Sequence, residues 1–489
     1  MRKNFRIKLS IILAFTSLFF GCKGYANNEE QYVYDSLEKI PLTIEAIEDG
    51  QITFTNLGEI KNLKYKLNDG KLIKATNSGI SVKQNDKVYF FAEGNYGPSW
   101  NHFTINCSSD CYVYGNVMSL LCKNYQTERE ITTKHAFYKL FYNNIQIKNH
   151  PDKDIYLPAT KLTESCYESM FEGCTSITNS PVLPATKLAD SCYESMFSGC
   201  SSLTQAPILS STKLADSCYK SMFSGCSSLT EAPILSSTKL ADSCYKFMFS
   251  DCSSLTQAPN LPAITLADSC YSYMFSGCSS LKNAPILPAT NLAYGCYEDM
   301  FNSCSSLTKT PDLPVTNLAP SCYAGMFWGC TSLTQVSVLP ATTLSGGCYS
   351  CMFRCCTSLT QAPVLPATNL APSCYSSMFH DCISLIQAPQ LPATTLSDEC
   401  YSFMFRNCYS LTKAPVLPAT TLTEKCYRKM FDYCSSLNEV TCFATNICAG
   451  DCTDNWLGEV ASSGTFKKAS GVNWSRGPSG IPENWTITE

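Results

Sequence analysis

Methionine recurs every 26 residues from Met170 through Met196 and Met222 to Met430, giving eleven consecutive copies of one unit without an insertion. A fixed period between 20 and 50 residues restricts the fold to a stack, because one short unit cannot bury its apolar side alone and must lay it against its neighbours. With each Met as position zero, Phe occupies +1, Tyr -3, and Cys both -4 and +4 in all eleven copies. Position +7 is Leu or, once, Ile177, and +18 is Leu in the first ten. Positions that never vary while their neighbours drift are the expected shared core of a solenoid.

Between those positions the unit reads CYxxMFxGCxSLTxAPxLPATxL. Cys, Met and Phe spaced four and one apart, beside Asp190 or Asp216, predict a short helical turn ahead of a bend at Gly-Cys. SLTQAPIL then alternates inward Leu and Ala with outward Thr and Gln, which predicts a brief strand. Proline at +11 cannot donate to a ladder, so that strand is limited to about three to five residues. Strands stacked about 4.8 Å apart would make eleven copies and two caps a rod of roughly 55–65 Å. Leu203, Leu229 and Leu255 should form one internal ladder, and the Phe and Met series two more.

MFSGCSSLT followed by a proline-marked strand resembles the bacterial surface leucine-rich repeats of the BspA type, over residues 137 to about 457. The resemblance implies an α/β-type leucine-rich-repeat solenoid with short strands and short helical turns, right-handed, exported and anchored. It also implies a Cys or Asn at +4 that bonds to the turn. That slot is Cys in every full copy and Asn144 in the leading partial copy HAFYKLFYNNIQIKN. The second cysteine at -4 and the 26-residue period depart from the common family pattern.

Both ends of the array degrade, as a stack must blunt its terminal layers. Leu140 and Phe141 stand in for Met and Phe at the front; Trp456 and Leu457 do so at the back, where Cys452 keeps -4 and Val460 replaces the +4 cysteine. The tail GTFKKASGVNWSRGPSGIPENWTITE reads as a cap carrying a strand pair. Ahead of the array, PLTIEAIEDGQITFTN and LKYKLNDGKLIKA are alternating runs broken by Asp-Gly, a hairpin signal, and ISVKQNDKVYFFAEG and HFTINCSSDCYVYGN add strands. These predict a small all-β, sandwich-like domain. The expected organisation is a lipoprotein signal peptide over 1–21, a lipid-anchored linker over 22–40, the β domain over 41–125, a cap repeat over 126–156, the solenoid over 157–456 and a C-terminal cap over 457–489.

MRKNFRIKLSIILAFTSLFFGC has a basic start and an apolar stretch too short to span a bilayer, the pattern of an export signal. LFFGC resembles a lipoprotein cleavage site with Cys22 as the acylated residue. Lipidation of Cys22 also turns an odd count of 31 cysteines into an even 30. The expected location is the outer membrane or cell surface of a Gram-negative-type bacterium, with the membrane engaged through the lipid anchor alone; plain secretion is the alternative. The formal net charge of -4 argues against nucleic acid and against an anionic membrane surface as partners.

The repeat cysteines, spaced C-x7-C, admit three readings. Zinc is disfavoured because structural sites want close pairs and the chain has four histidines. One disulfide per turn suits an exported protein; a buried thiol ladder suits the way cysteine packs as a small hydrophobe. Cys107 and Cys111 in NCSSDC are the candidate bridged pair, and Cys351 and Cys355 occur in one copy only. His102, His135, His150 and His380 are scattered, without a recurring Ser, Asp or Glu that would build a triad or dyad. No phosphate loop, HExxH or EF-hand loop occurs. The expectation is therefore a non-enzyme with no cofactor and no metal.

Recognition remains. If +7 and +10 point inward, +9 points out, and from the second copy it is Gln205, Glu231, Gln257, Asn283, Lys309, Gln335, Gln361, Gln387 and Lys413, with Asn179 before and Glu439 after. Such a row is the kind of face through which solenoids bind, here a host or matrix protein or a glycan. Alternatively the amides stack along the ladder and bind nothing, which leaves a structural surface spacer. A third reading, an accessory to polysaccharide uptake, needs an exposed aromatic platform, for which Phe247, Tyr273, Trp328 and Phe403 are the candidates.

Overall fold

The computed structural model describes residues 37–95 and 101–489. Strands β1 (Thr43–Ala46), β2 (Gly50–Thr55), β3 (Lys64–Leu67), β4 (Leu72–Lys74), β5 (Ile80–Val82), β6 (Lys87–Phe91), β7 (Thr104–Cys107) and β8 (Cys111–Asn116) precede the repeats. β1, β3, β4, β6 and β8 share one sheet, and β2 pairs with β5 and β7 in a second. The hairpin expected at Asn68–Gly70 forms, with Tyr65 opposite Ile73. The one expected at Asp49-Gly50 does not: β1 pairs with β6 and β8, while β2 belongs to the other sheet. Asp49 is held instead by Lys83 Nζ and the Gln84 amide, and Gly50 packs so close to Ser109 that a Cβ would lie 2.0 Å from its hydroxyl. The two sheets meet at Phe54 and Phe90, whose rings are 6.2 Å apart.

This region joins the repeats through backbone pairing. β8 carries on its outer edge two parallel strands, β9 (Ile147–Asn149) and β10 (Ile155–Tyr156), that belong to the leading turn. Asn144 caps the joint: its side-chain nitrogen donates to the Ile105 carbonyl at 3.1 Å, and its oxygen accepts from the Gln146 amide. The sheet thus runs without interruption past residue 125.

The repeat itself departs from expectation in its first half. No α-helix forms from Cys -4 to Cys +4. Residues -5, -1 and +3 take left-handed backbone angles in every turn, as at Ser191 (φ 53°), Ser195 (φ 54°) and Gly199 (φ 71°). A left-handed residue at every fourth position prevents helical propagation and turns alternate amides outward along the stack. Ser191, Tyr193, Ser195, Phe197 and Gly199 each donate to a carbonyl of the following turn, at 2.7–3.1 Å, while Cys192, Glu194, Met196, Ser198 and Cys200 bond back within their own turn. An α-helix would spend all of these donors internally. Five bonds between turns, at about 1 kcal/mol net each, outweigh two non-glycine left-handed residues at about 1–2 kcal/mol each.

Glycine at +3 answers the turn below it. Above Asp251, a Cβ on Gly277 would come 2.2 Å from the carboxylate, whereas above Gly173 a Cβ on Gly199 meets only backbone at 3.5 Å.

The fixed positions are the core. Cys -4, Tyr -3, Met, Phe +1, Cys +4 and the Leu or Ile at +7 are buried in all eleven full copies. Successive rings stack in register, Phe197 on Phe223 at 5.9 Å and Tyr193 on Tyr219 at 5.8 Å, with interplanar angles of 2° and 0°. At about 2 kcal/mol of transfer free energy for each Tyr, Met, Phe and Leu, one turn gains about 8 kcal/mol by lying between two others. Leu +18 is less uniform, buried at Leu266 and only partly so at Leu214.

The thiols pack. The described cysteines are free, and the repeat cysteines are buried. Each +4 sulfur donates across to the previous turn's Phe +1 carbonyl, Cys200 to Phe171 at 3.0 Å and Cys226 to Phe197 at 3.1 Å. Burial pushes the thiol of Cys330 up to about 12, as it does at -4 for Cys218, so these groups stay protonated, able to donate and inert as nucleophiles.

Strand character after the bend is slight, as proline at +11 dictates. Single parallel bridges such as Asn179 to Gln205 and Gln361 to Gln387 mark most turns. A parallel sheet develops towards the C-terminus, through β11 (Lys413–Leu417), β12 (Glu439–Cys442), β13 (Thr465–Lys468) and β14 (Thr486–Thr488). β13 and β14 continue the ladder side by side over the last turn. Trp456 closes the core there, its ring 6.0 Å from that of Tyr427 and its indole N–H on the Gly480 carbonyl at 2.8 Å.

Candidate interaction surface

The bend that follows Cys +4 fixes which side chains leave the stack. Leu +7 is buried, +8 and +9 are exposed, Ala +10 leans back on the core, and Leu +13 is buried again. The structure therefore brings Gln205, Glu231, Gln257, Asn283, Lys309, Gln335, Gln361, Gln387 and Lys413 together as one exposed row; Glu439 at its end is half-buried. Bridging along this row runs through the backbone, as between Lys309 and Gln335, and Lys413 pairs with Glu439 at 2.6 Å.

A second exposed row runs beside it at +12, and sequence reasoning missed it. Its members from the first copy to the tenth are Val182, Ile208, Ile234, Asn260, Ile286, Asp312, Val338, Val364, Gln390 and Val416. Ile208, Ile234 and Ile286 are 83%, 80% and 81% exposed, about as open as a side chain can be in a folded chain. The alternation of +7, +9 and +10 gave +12 no direction; the signal that could have placed it outside is the Leu at +13, which needs the inward direction for itself.

The candidate aromatics do not form an open platform. Phe247 and Tyr273, left-handed at -1 in adjacent turns, stack on one another at 4.5 Å, and Lys246 lies over Phe247. Arg354 covers Trp328 at 4.6 Å, and Arg428 and Lys429 lie over Phe403.

One cluster gathers Cys, His and Asp. Cys355 donates to Asp381 Oδ2 at 3.6 Å, His380 Nε2 lies 3.5 Å from the same oxygen, and Asn407 donates to Oδ1 at 2.7 Å. Thiol and imidazole both meet the carboxylate rather than each other, so the group facing the sulfur is Asp381, an anion that disfavours the thiolate, and not the imidazole. Burial raises the Cys355 pKa and lowers that of His380 to about 4, leaving both neutral at pH 7. His135 and His150 are likewise lowered by burial. Among the described residues no group of three or more His, Cys, Asp or Glu is arranged to hold a metal ion, and no helix is long and apolar enough to cross a membrane.

Cys107 and Cys111 come together, with Cys111 Sγ donating to Cys107 Sγ at 3.0 Å; that bond lowers the pKa of Cys107 and raises that of Cys111. Cys22 and the export signal lie outside the described residues.

Comparison with known proteins agrees with this architecture. A family profile described as "BspA type Leucine rich repeat region (6 copies)" matches residues 130–282, 216–334, 257–386 and 349–451. A crystal structure of a leucine-rich repeat protein from Eubacterium ventriosum ATCC 27560 aligns at 13% identity over 69% of this chain and 88% of that one; its TM-score of 0.24 supplies no argument. No curated protein matches the chain. The profile matches span 130 to 451, or 322 of 489 residues, with the Cys or Asn slot and the buried leucine column in register, and the chain belongs to the BspA-type leucine-rich repeat family.

Proposed function

We propose that this protein is a non-catalytic interaction protein of the bacterial surface, in which a sandwich-like β domain carries a repeat solenoid that presents the +9 row to a host or matrix protein or a glycan. Proteins of this family are generally non-catalytic and often surface-associated. The observation that carries the reading is the +9 row itself, polar and exposed turn after turn beside buried Leu +7 and Leu +13. Fixed side chains at one step per turn give many weak contacts in parallel, so a repetitive partner gains by avidity what each turn lacks in affinity.

Acylation of Cys22 would place the solenoid outside the envelope on a tether, and oxidation of Cys107 and Cys111 to a disulfide would suit that compartment. The uptake-accessory reading is less well supported, because each candidate aromatic face is covered by a neighbouring ring or cation. The spacer reading draws on the near-identity of the copies.

Protease shaving of intact cells tests the placement. Peptides from the repeats should be released without lysis, and their release only after lysis would end the surface reading. Palmitate-analogue labelling of wild type and of Cys22→Ser should show label on the first alone. Changing Gln335, Gln361 and Gln387 together to Lys should lower retention of cells on immobilised matrix proteins and glycans by tenfold or more. Unchanged retention would leave the spacer.

A further inference from the structure

The +12 row raises a question that the polar +9 row does not. Single aliphatic side chains on a surface are ordinary, but a contiguous file of them is not, and such a patch marks an interaction site. From Ile208 to Val364 the file reads Ile, Ile, Asn, Ile, Asp, Val, Val, one residue per turn, all exposed. In polarity this is a palindrome centred on Ile286. Asn260 and Asp312 are the two interruptions, one turn on either side of the centre, and two aliphatic residues lie beyond each.

We infer that this face pairs two copies of the chain, antiparallel, about a two-fold axis at Ile286. A two-fold contact is self-complementary, with each residue meeting the mirror position on the partner chain. An axis at the fifth turn sets Ile286 against its own copy, Ile234 against Val338 and Ile208 against Val364. It also sets Asn260 against Asp312, twice. The amide of Asn260 donates to the opposing carboxylate, so each polar interruption is matched by its hydrogen-bonding partner. A shift of one turn in either direction would put Asp312 or Asn260 against an aliphatic residue and leave a desolvated polar group unpaired. The axis falls at a shallow recess lined by Pro285, Ile286, Pro288, Pro311, Asp312 and Pro314, where rigid backbone costs little to order.

Size sets the strength. Seven turns at about 4.8 Å, taken with the strand-direction width from +9 to +14, cover roughly 600 Å² per copy, or about 1,200 Å² in total. That is the lower bound of specific interfaces, so the dimer should be reversible and micromolar. The pairing covers the same face as the +9 row, so it competes with any ligand held there; it needs no ligand itself, and its test reads the chain alone, apart from the adhesion reading.

Sedimentation equilibrium of the full chain carrying Cys22→Ser, so that an acyl group cannot drive association, tests it between about 1 and 100 µM. A monomer–dimer equilibrium is expected. Ile286→Lys should weaken it by at least tenfold with the circular dichroism spectrum unchanged, since it sets two ammonium groups against each other on the axis. Asn260→Asp should weaken it by placing carboxylate against Asp312, whereas Asn260→Lys should hold or tighten it. A wild-type chain still monomeric at the top concentration, or an Ile286→Lys variant that dimerises as well as wild type, overturns the proposal. Equal effects of Asn260→Asp and Asn260→Lys overturn the register.

Discussion

The region before the repeats and the repeats themselves meet one backbone requirement in opposite ways. Among the described residues of 37–125, the non-glycine positions with left-handed angles are Asn56, Asn62, Asn68 and Asn85, and asparagine is the side chain that tolerates this region best. In the array the same angles are taken by Ser195, Phe247, Tyr273, Asp299, Cys355, Glu399 and Lys425, several of which resist them. Conformation in the first region is written locally, residue by residue. In the second it is imposed by ladder bonds from the turns on either side, and the sequence at those positions is free to drift.

Removing the ladder's register should break that contrast most severely. Deleting residues 244–269 takes out one whole turn and sets the turn of Cys218 directly against the turn of Cys270. Each turn contacts only its neighbours, so a folded, shorter array is expected. Deleting 24 or 28 residues from the same place shifts every column behind it, and the C-terminal part should lose its cooperative melting transition. Circular dichroism melts of the three variants check this; aggregation of the in-register deletion would contradict nearest-neighbour stacking.

Next in size is the difference between the inside and outside of one turn. Leu255 is wholly buried and Gln257 exposed. Leu255→Asp puts a carboxylate in the shared column, costing several kcal/mol or forcing the group to stay protonated. Gln257→Ala should fall within about 0.5 kcal/mol of wild type. Urea midpoints separate the two.

High pH should separate the two regions themselves. Cys166, Cys218 and Cys330 have folded pKa values of about 12, raised by burial, against about 8.5 for a thiol in an unfolded chain. Between those values the unfolded state has released protons that the folded state keeps, so stability falls as pH rises. The contribution is full below about pH 8.5 and is lost progressively towards about 12, at about 1.4 kcal/mol per thiol for each pH unit. Residues 37–125 hold only Cys107, Cys111 and Cys122. Under reducing conditions, hydrogen exchange between pH 8 and 11 should therefore show the array opening while β1–β8 remain protected.

Much of the array was legible because repetition inside one chain identifies the core without any rule of local structure. Phe +1, Tyr -3, Leu +7 and both cysteines are buried as their invariance required, and proline at +11 correctly limited the strands. The arc from -5 to +3 was not legible as a helix or otherwise from apolar spacing, since Cys, Met and Phe at four and one suit either geometry. In the first three copies Ser stands at -5 and -1 and Gly at +3, weaker helix formers spaced four apart, and there the better signal lay. The hairpin at Asp49-Gly50 failed for the opposite reason: the local signal was real, but Lys83 and Gln84 claim the Asp49 carboxylate and the strands part to different sheets. The +9 row followed from alternation, whereas +12, beyond the proline at +11, was given no direction.

The smallest effect probes the opening contrast most directly. Asn85 stands at φ 69° and its amide donates to the Ala46 carbonyl at 2.8 Å, so the angle is required there. Asn85→Ala should cost about 1 kcal/mol, because alanine loses the left-handed tolerance that asparagine supplies. Ser195 stands at φ 54° with its amide on the Lys220 carbonyl at 2.8 Å, but serine has little such tolerance to lose. Ser195→Ala should therefore change stability by a few tenths of a kcal/mol at most. Ser195→Gly should gain somewhat under 1 kcal/mol, since relief of the backbone strain exceeds the extra freedom glycine gives the unfolded chain. Hydrogen exchange at the amides of Asp86 and Phe197 reads each change locally. If Ser195→Ala cost as much as Asn85→Ala, the left-handed residues of the array would be encoded by their own side chains, and the ladder would not be what holds them.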